Sequence, residues 1–172
     1  MPARARNEYR HALAQFATGV TVVTTRSADR APTGVTVNSF NSVSLQPPLV
    51  LWSLSLKAGS LSAFRDCARY AVTMLAADQL DIAKRFASRG VDRFDGTAWD
   101  AGPHELPIIR GGVATLIVLN RNQHVEGDHL ILVGEVTEFE APGGAPLIFH
   151  DGSYIASATE EPLPPAFREP WR

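Results

Sequence analysis

Apolar residues along the chain occur in short runs, each bounded by clusters of Gly, Pro, Asp, Asn or Ser. Runs rich in Val, Ile and Thr predict strands, and turn residues between them predict short connections. Six or seven strands with few helices favour a closed or nearly closed antiparallel barrel over a doubly wound sheet. The predicted strands cover residues 20–25, 33–40, 49–55, 69–75, 111–120, 129–141 and 146–157.

Three further segments have helical spacing and are expected to flank the barrel. The first spans about residues 7–17 and is followed by Gly19, a residue that favours a helix C-terminus. The second begins after Ser60, which we expect to cap it, and the third is "DQLDIAKRFAS", opened by Asp78. The pattern therefore predicts a mainly β protein with a few short helices.

The connections divide the chain into a domain and a tail. Residues 89–107 are rich in Gly, Asp and Pro and predict a long connection, while 121–128 and 141–145 are expected to join the last strands. Residues 158–172 are Pro-rich and have no period, which indicates an extended tail. We expect one domain over residues 1–157.

Composition narrows the class of protein. The 172 residues, 45% of them hydrophobic, are enough to bury a sizeable core. The net charge of -2 and the lack of a long basic run give no indication of nucleic acid or an anionic membrane as partner. No secretory signal or membrane-spanning run is present, so a cytoplasmic location is expected. The single Cys67 is expected to be a small buried side chain.

A polar interruption between two predicted strands is the first candidate for chemistry. Residues 38–44 contain three serines and two asparagines, and Pro47 and Pro48 then precede an apolar strand. A surface loop explains such a run in most proteins. This run is longer than a hairpin turn requires, and rigid backbone N–H groups in such a bend suit the edge of a planar heterocycle.

Charged residues and histidines supply weaker candidates. Lys57 with Ser60 at a helix start would suit a phosphate, although a plain cap and a solvated lysine explain them equally well. Phe86 is explained as a core residue, and the arginines beside it as partners of the helix dipole. His129 begins a buried strand, where imidazole is an unusual choice. No spacing of Cys and His indicates a metal site.

The order of several motifs resembles a known family. "FATGVTVVTT", "GVTVNSFNSVSLQPPLVLWSL", "FRDCARYAVTMLAADQLDIAKRFAS", "DRFDG", "GDHLILVGEV" and "PLIFHDGSYI" follow one another as in the short-chain flavin reductases, over roughly residues 9–156. These proteins are the reductase components of two-component flavin-dependent monooxygenases. The resemblance implies an FMN-binding split barrel, a homodimer, and an enzyme that reduces FMN or FAD with NADH or NADPH for a separate monooxygenase.

The resemblance also implies roles for individual residues. His129 would face the nicotinamide and Tyr154 would help to close that pocket, while Phe86 would lie near the flavin. The bend would hold the flavin ring edge, mostly through backbone groups. The turn after the apolar strand would face the ribityl phosphate. The residues implied for the bend and this turn are Thr36, Val37, Asn38, Ser39, Phe40, Ser42, Ser53, Leu54, Lys57 and Ser60.

The chain departs from the family pattern before "GDH". The family commonly has a strand with Cys and Glu followed by a "VHD"-like turn, whereas residues 119–126 read "LNRNQHVE". This departure supports an alternative function, a flavin-binding split-barrel protein without efficient NAD(P)H turnover. A purely structural β-barrel domain is a third possibility.

Overall fold

The computed structural model describes residues 2–156, and the predicted tail at 158–172 lies outside them. The helices are α1 (Ala3–Ala14), α2 (Leu61–Asp66) and α3 (Leu80–Ala87), with one 3-10 turn at Pro103–Glu105. In the described part, no helix is long and apolar enough to cross a membrane. The strands are β1 (Thr18–Gly19), β2 (Thr21–Arg26), β3 (Pro32–Val37), β4 (Asn41–Leu45), β5 (Pro48–Ser55), β6 (Arg69–Met74), β7 (Trp99–Ala101), β8 (Pro107–Ile109), β9 (Ala114–Glu126), β10 (His129–Glu140), β11 (Ile148–His150) and β12 (Ser153–Ile155).

Seven of these strands form one antiparallel sheet in the order β3-β2-β6-β9-β10-β5-β4. The sheet curves until β3 lies close to β5 again, but the two strands are not paired, so the barrel is incompletely closed. Smaller sheets join β1, β11 and β12, and β7 with β8. The predicted mainly β, antiparallel barrel with a few short helices is confirmed.

The barrel has an apolar interior and a second apolar layer outside it. Successive side chains of a strand point to opposite faces, so Val23 of β2 lies in the barrel interior and Val22 in the outer layer under α3. In the interior, the Trp52 ring meets Phe64 and Tyr70 edge to face, with centroids 5.0 and 5.8 Å apart. Cys67 packs against this interior cluster, and burial raises the pKa of its thiol.

Two helix boundaries differ from the sequence prediction. The first helix ends at Ala14 rather than residue 17, because the chain turns there to pair β1 with β11, and Gly19 lies in β1. The third helix begins at Leu80 rather than at Asp78. Gln79 organises its start, since its side chain accepts from the Ala76 N–H and donates to the Arg110 carbonyl.

Strand boundaries also differ where polar residues lie on a sheet edge. Most of the polar run, Asn41–Leu45, is edge strand β4 rather than a bend. Residues 121–126 continue β9, so the connection to β10 shrinks to Gly127 and Asp128. The predicted connection at 89–107 contains the short strand β7 and the 3-10 turn, and the last predicted strand is the hairpin β11–β12. Solvated edges carry polar side chains that the sequence pattern assigns to loops.

Gly134 is expected to be required for barrel stability. A Cβ at this position of β10 would collide with the side chains of Val118 and Tyr70 inside the barrel. We expect Gly134→Ala to lower the free energy of unfolding by about 1–3 kcal/mol, measured by urea denaturation. Gly19→Ala is the matched control, because a Cβ there meets no atom within 4 Å. Equal stability of the two variants would contradict this packing argument.

Candidate functional site

The split in the barrel is a cavity of about 560 Å³ between β3 and the end of β5. We call it the split cavity. The segment after α3 supplies one wall, and the turn between β5 and α2 supplies another. Its lining residues are Val35, Thr36, Val37, Asn38, Ser39, Ser53, Leu54, Ser55, Lys57, Ala58, Gly59, Ser60, Ala87, Arg89, Gly90, Arg93 and His129.

The β3 side of the split cavity is a strand edge with backbone groups turned outward. β3 pairs with β2 on one side only, and the Gly34 carbonyl accepts a 2.6 Å hydrogen bond from Arg93 on the other. Backbone direction alternates along an antiparallel strand, so the N–H and C=O of Thr36 also point away from β2. The Thr36 hydroxyl donates to the Ala83 carbonyl at 2.7 Å and thereby ties this edge to α3.

The β5 side is held by a serine that replaces the missing strand partner. β4 pairs with β5 only as far as Leu51, so the next outward-facing backbone groups belong to Ser53. The Ser39 hydroxyl donates to the Ser53 carbonyl at 3.1 Å and accepts from the Ser53 N–H at 3.0 Å. By the same alternation the Ser55 N–H faces the split cavity, while its carbonyl accepts from Ala58 at 2.9 Å.

The charge of the split cavity is positive. Lys57, Arg89 and Arg93 line it, and among its lining residues in the described chain there is no carboxylate. Lys57 and Arg89 are exposed, whereas Arg93 is half-buried. Side chains of this kind in one concave site favour a phosphate or another anion.

Arg93 holds in place the segment after α3, which forms one wall of the split cavity. Its Nε and Nη2 donate to the Ser88 carbonyl at 3.1 and 2.7 Å, and its Nη1 reaches the Gly34 carbonyl. Burial lowers the pKa of this guanidinium. Neighbouring residues of the "DRFDG" motif support the same turn: the Asp92 carboxylate accepts from the backbone N–H of Phe94 at 3.0 Å. The motif therefore builds the wall of the split cavity.

His129 lies at the rim of the split cavity in a fixed orientation. Its Nδ1 is 2.7 Å from the Asp128 carboxylate, and this hydrogen bond holds the pKa of Asp128 below its usual value. An ionised carboxylate only accepts hydrogen bonds, so Nδ1 carries the proton. The second ring nitrogen, Nε2, is left for a ligand. The side chain of His129 is 45% exposed, which leaves it accessible from the split cavity.

Most of the residues singled out in the sequence meet in the split cavity. Four lie elsewhere. Phe40 packs against the barrel interior, and Ser42 is exposed on β4. Phe86 is fully buried, because its ring packs on Gly34 and meets Phe94 edge to face. Tyr154 lines a neighbouring cavity of about 230 Å³, which shares Thr36, Val37, Asn38 and Ala87 with the split cavity. Those that the split cavity contains are Thr36, Val37, Asn38, Ser39, Ser53, Leu54, Lys57, Ser60 and His129.

Two cationic residues of this site, Arg89 and Arg93, were not predicted as binding residues from the sequence. Arg93 belongs to the "DRFDG" motif, but the motif alone indicated no role for it. Arg89 was interpreted as a partner of the helix dipole. Both become recognisable only when the segment after α3 is placed against β3. Ser60 occupies the position before α2 as predicted, but its side chain makes no capping hydrogen bond. Ser60 is instead buried at the edge of the split cavity.

Replacing Ser39 tests the architecture of the split. Ser39→Ala leaves the N–H and C=O of Ser53 without their partner, so we expect the free energy of unfolding to fall by about 1–3 kcal/mol. Urea denaturation measures this loss. Ser42→Ala is the control, since Ser42 is exposed and lies outside the split cavity, and a change within about 0.5 kcal/mol is expected. A similar loss in both variants would show that Ser39 has no special role.

The family model and the similar proteins of known function identify the same family. The family described as "Flavin reductase like domain" matches residues 13–157. The FMN reductase (NADH) SmoA of Agrobacterium fabrum is 41% identical over 146 residues, covering 85% of this chain and 83% of the relative. The flavin-dependent monooxygenase reductase subunit HsaB of Mycobacterium tuberculosis is 35% identical over 164 residues, covering 94% of this chain and 87% of the relative.

Solved structures agree with these relatives. Nitrilotriacetate monooxygenase component B from Mycobacterium thermoresistibile superposes with a TM-score of 0.89 at 32% identity, covering 99% of this chain and 96% of that one. An NADH:FAD oxidoreductase of Streptomyces globisporus, in complex with NAD and FAD fragments, superposes with a TM-score of 0.85 at 36% identity. The match covers 92% of this chain and 96% of that one. The split-barrel fold implied by the motifs is confirmed, and this chain belongs to the flavin reductase-like family.

Proposed function

We propose that this chain is an NAD(P)H-dependent flavin reductase that supplies reduced flavin to a separate monooxygenase component. The observation that carries the proposal is the split cavity itself, which combines outward-facing backbone groups, three cationic side chains and an oriented imidazole. Family membership supports the same activity. The relatives named as monooxygenase reductase subunits support the proposal that a separate monooxygenase component receives the reduced flavin.

The split cavity fits a flavin in size and in chemistry. Its volume of about 560 Å³ is within the range of sites that hold small organic ligands, about 300–1,000 Å³. The outward N–H and C=O groups at Thr36 and the N–H at Ser55 suit a planar ring edge that both donates and accepts hydrogen bonds. Lys57, Arg89 and Arg93 suit the phosphate of the ribityl chain. Asn38 and Ser39 would lie along the ring.

The bound nicotinamide and flavin rings supply the chemistry, which is transfer of a hydride from one ring to the other. The chain supplies positioning. Backbone donors on β3 and β5 are fixed by the sheet, so they would stabilise negative charge on a bound ring without reorganising. His129, held by Asp128, would orient the nicotinamide through Nε2. Tyr154 would close the smaller neighbouring cavity over the same ring.

The unusual segment at 119–126 gives little support to a flavin binder without turnover. This segment lies within β9 and contributes none of the residues that line the split cavity. His129 and its Asp128 partner are present beside the cavity. The departure from the family pattern therefore lies on the strand beside β10, where Glu126 pairs with His129, and outside the lining of the split cavity.

A homodimer is part of the proposal. Large apolar side chains are exposed just after α1 and at the edge strand β4, including Phe16 at 74% and Leu45 at 81%. Contact surfaces between subunits contain exposed apolar side chains in contiguous patches, and these residues are the candidates for such a patch. Sedimentation of the purified chain at micromolar concentration would detect the dimer directly.

A steady-state assay tests the proposed reaction. Oxidation of NADH and of NADPH is followed at saturating FMN, FAD or riboflavin, and without flavin. The proposal predicts oxidation that depends on added or bound flavin with at least one of the two nicotinamides. Flavin binding without such oxidation would instead indicate a flavin carrier.

Arg89 is expected to recognise the flavin phosphate. Arg89→Gln removes a positive charge from the split cavity, so we expect FMN affinity to fall by about fivefold to tenfold, with riboflavin affinity unchanged. Titration calorimetry with both ligands measures the difference. Arg65→Gln, on the exposed surface of α2, is the charge-matched control. Equal losses of FMN and riboflavin binding would refute a phosphate contact.

His129 is expected to act on the nicotinamide rather than on the flavin. His129→Ala should raise the KM for NADH or NADPH and leave flavin affinity nearly unchanged, because the backbone donors of β3 and β5 remain in place. Steady-state kinetics and flavin titration of the same preparation separate the two effects. An equal loss of flavin binding would contradict this division of roles.

A further inference from the structure

The first helix carries an apolar stripe that its own barrel does not cover. Tyr9 and Leu13 of α1, and Phe16 two residues after it, lie at the spacing of one helical face. Their exposed fractions are 55%, 56% and 74%. The Phe16 N–H donates to the Leu13 carbonyl at 3.2 Å, which keeps Phe16 in line with the helix. We call these three residues the helix stripe.

α1 has little support from its own protomer. None of its described side chains is buried, and the hydrogen bonds that join the described part of the helix to the barrel all end at Asp151. The Asp151 N–H donates to the Ala14 carbonyl at 2.8 Å, and the Asp151 carboxylate accepts from Gln15 at 3.2 Å. A helix of 12 residues is marginally stable in water without tertiary packing. We therefore expect another molecule to cover the helix stripe.

Positive charge borders the helix stripe on one side. Arg6 and Arg10 each lie three residues before a residue of the stripe, so they flank it. Arg4 lies on the opposite face of the helix, where it donates to Glu8 at 3.0 Å. A complementary surface would be apolar at its centre and acidic at its border.

The same chain contains a surface of this kind between the paired strands β7 and β8 and the paired strands β9 and β10. It is a cavity of about 270 Å³, and we call it the acidic groove. Thr115 and Ile117 of β9 pair in register with Glu140 and Glu138 of β10, so these four side chains share one face of the sheet. The other lining residues are Asp100, Gly102, Pro103, Ile108 and Phe139.

The acidic groove is opposite in charge to α1. Among its lining residues in the described chain there is no Lys or Arg. Asp100 is paired with Arg110, and Glu138 lies 3.9 Å from Nε2 of His104. Glu140 is exposed and forms no ion pair with any residue in the range 2–156. The volume is below the range of about 300–1,000 Å³ that is usual for small-molecule sites, so the groove suits inserted side chains better than a whole ligand.

We propose that α1 of one protomer docks in the acidic groove of a second copy of this chain. The helix stripe then packs on the apolar floor formed by Ile108 and Ile117, and Arg10 lies beside Glu140. A second copy is the favoured occupant because both complementary surfaces belong to this chain, and two protomers that exchange α1 reciprocally form a closed dimer. The inference rests on the homodimer of the proposed function, to which it assigns the contact surfaces, and it is independent of the flavin chemistry.

Charge reversal with sedimentation equilibrium of the full chain tests the pairing. Arg10→Glu and Glu140→Arg each place like charges across the contact, so each is expected to raise the Kd of the dimer by about fivefold to tenfold. The double variant is expected to return the Kd to within about twofold of that of the unmodified chain. Arg4→Glu, on the opposite face of α1, and Asp66→Arg, exposed at the end of α2, are the matched controls and should leave the Kd unchanged.

An intermolecular disulfide provides a second measurement, with Cys67 replaced by Ala in every chain. Mixing a Leu13→Cys chain with a Thr115→Cys chain under mild oxidation should give a covalent dimer, because Thr115 lines the acidic groove. A link from Leu13→Cys to Leu45→Cys instead would assign the helix stripe to edge strand β4 and overturn the proposal. A dimer whose Kd ignores Glu140→Arg would overturn it too and leave the homodimer in place. A chain that stays monomeric would refute both, whereas the steady-state assay tests flavin reduction separately.

Discussion

The unpaired edges of one curved sheet determine the rest of this structure. The seven-stranded sheet brings β3 back towards β5 without joining them, so backbone N–H and C=O groups face a gap. Buried backbone groups without partners are costly, and each one near the gap has to be satisfied by a side chain, water or ligand. Ser39 satisfies Ser53 on one side, and Arg93 satisfies Gly34 on the other. The groups left over face the split cavity as rigid donors and acceptors.

The same constraint explains where the positive charge lies. The turn after β5 contributes Lys57 to the gap, and the segment after α3 contributes Arg89 and Arg93. Arg93 serves both purposes, since it bonds to the backbone of β3 and of the wall while its guanidinium remains beside the cavity. Arg93 therefore contributes both to the charge of the site and to the closure of its wall.

Much of the fold was predictable from local sequence because its central strands are β-branched and bounded by turn residues. β2, for example, is a run of Val and Thr whose first five residues are all buried, and its predicted limits lie within one residue of the observed ones. β4 was mistaken for a bend because it is an edge strand, where Asn and Ser face solvent. The start of α3 depends on Gln79, whose side chain also donates to the carbonyl of Arg110, 31 residues further along the chain, and a local pattern does not contain that contact.

The candidate site was predictable from the order of motifs along the chain rather than from local sequence patterns. Its β3 and β5 residues and His129 follow from the order of family motifs. Phe86, which the same motifs place near the flavin, packs against Gly34 and does not line the split cavity. That contact has a further consequence for the molecule. A free strand edge is a template on which another chain can add a strand, and such additions lead to aggregation. Phe86 packs α3 onto β3, and Arg93 covers the Gly34 carbonyl of its edge, so the contacts that shape the wall also protect the sheet from growing into a neighbouring molecule.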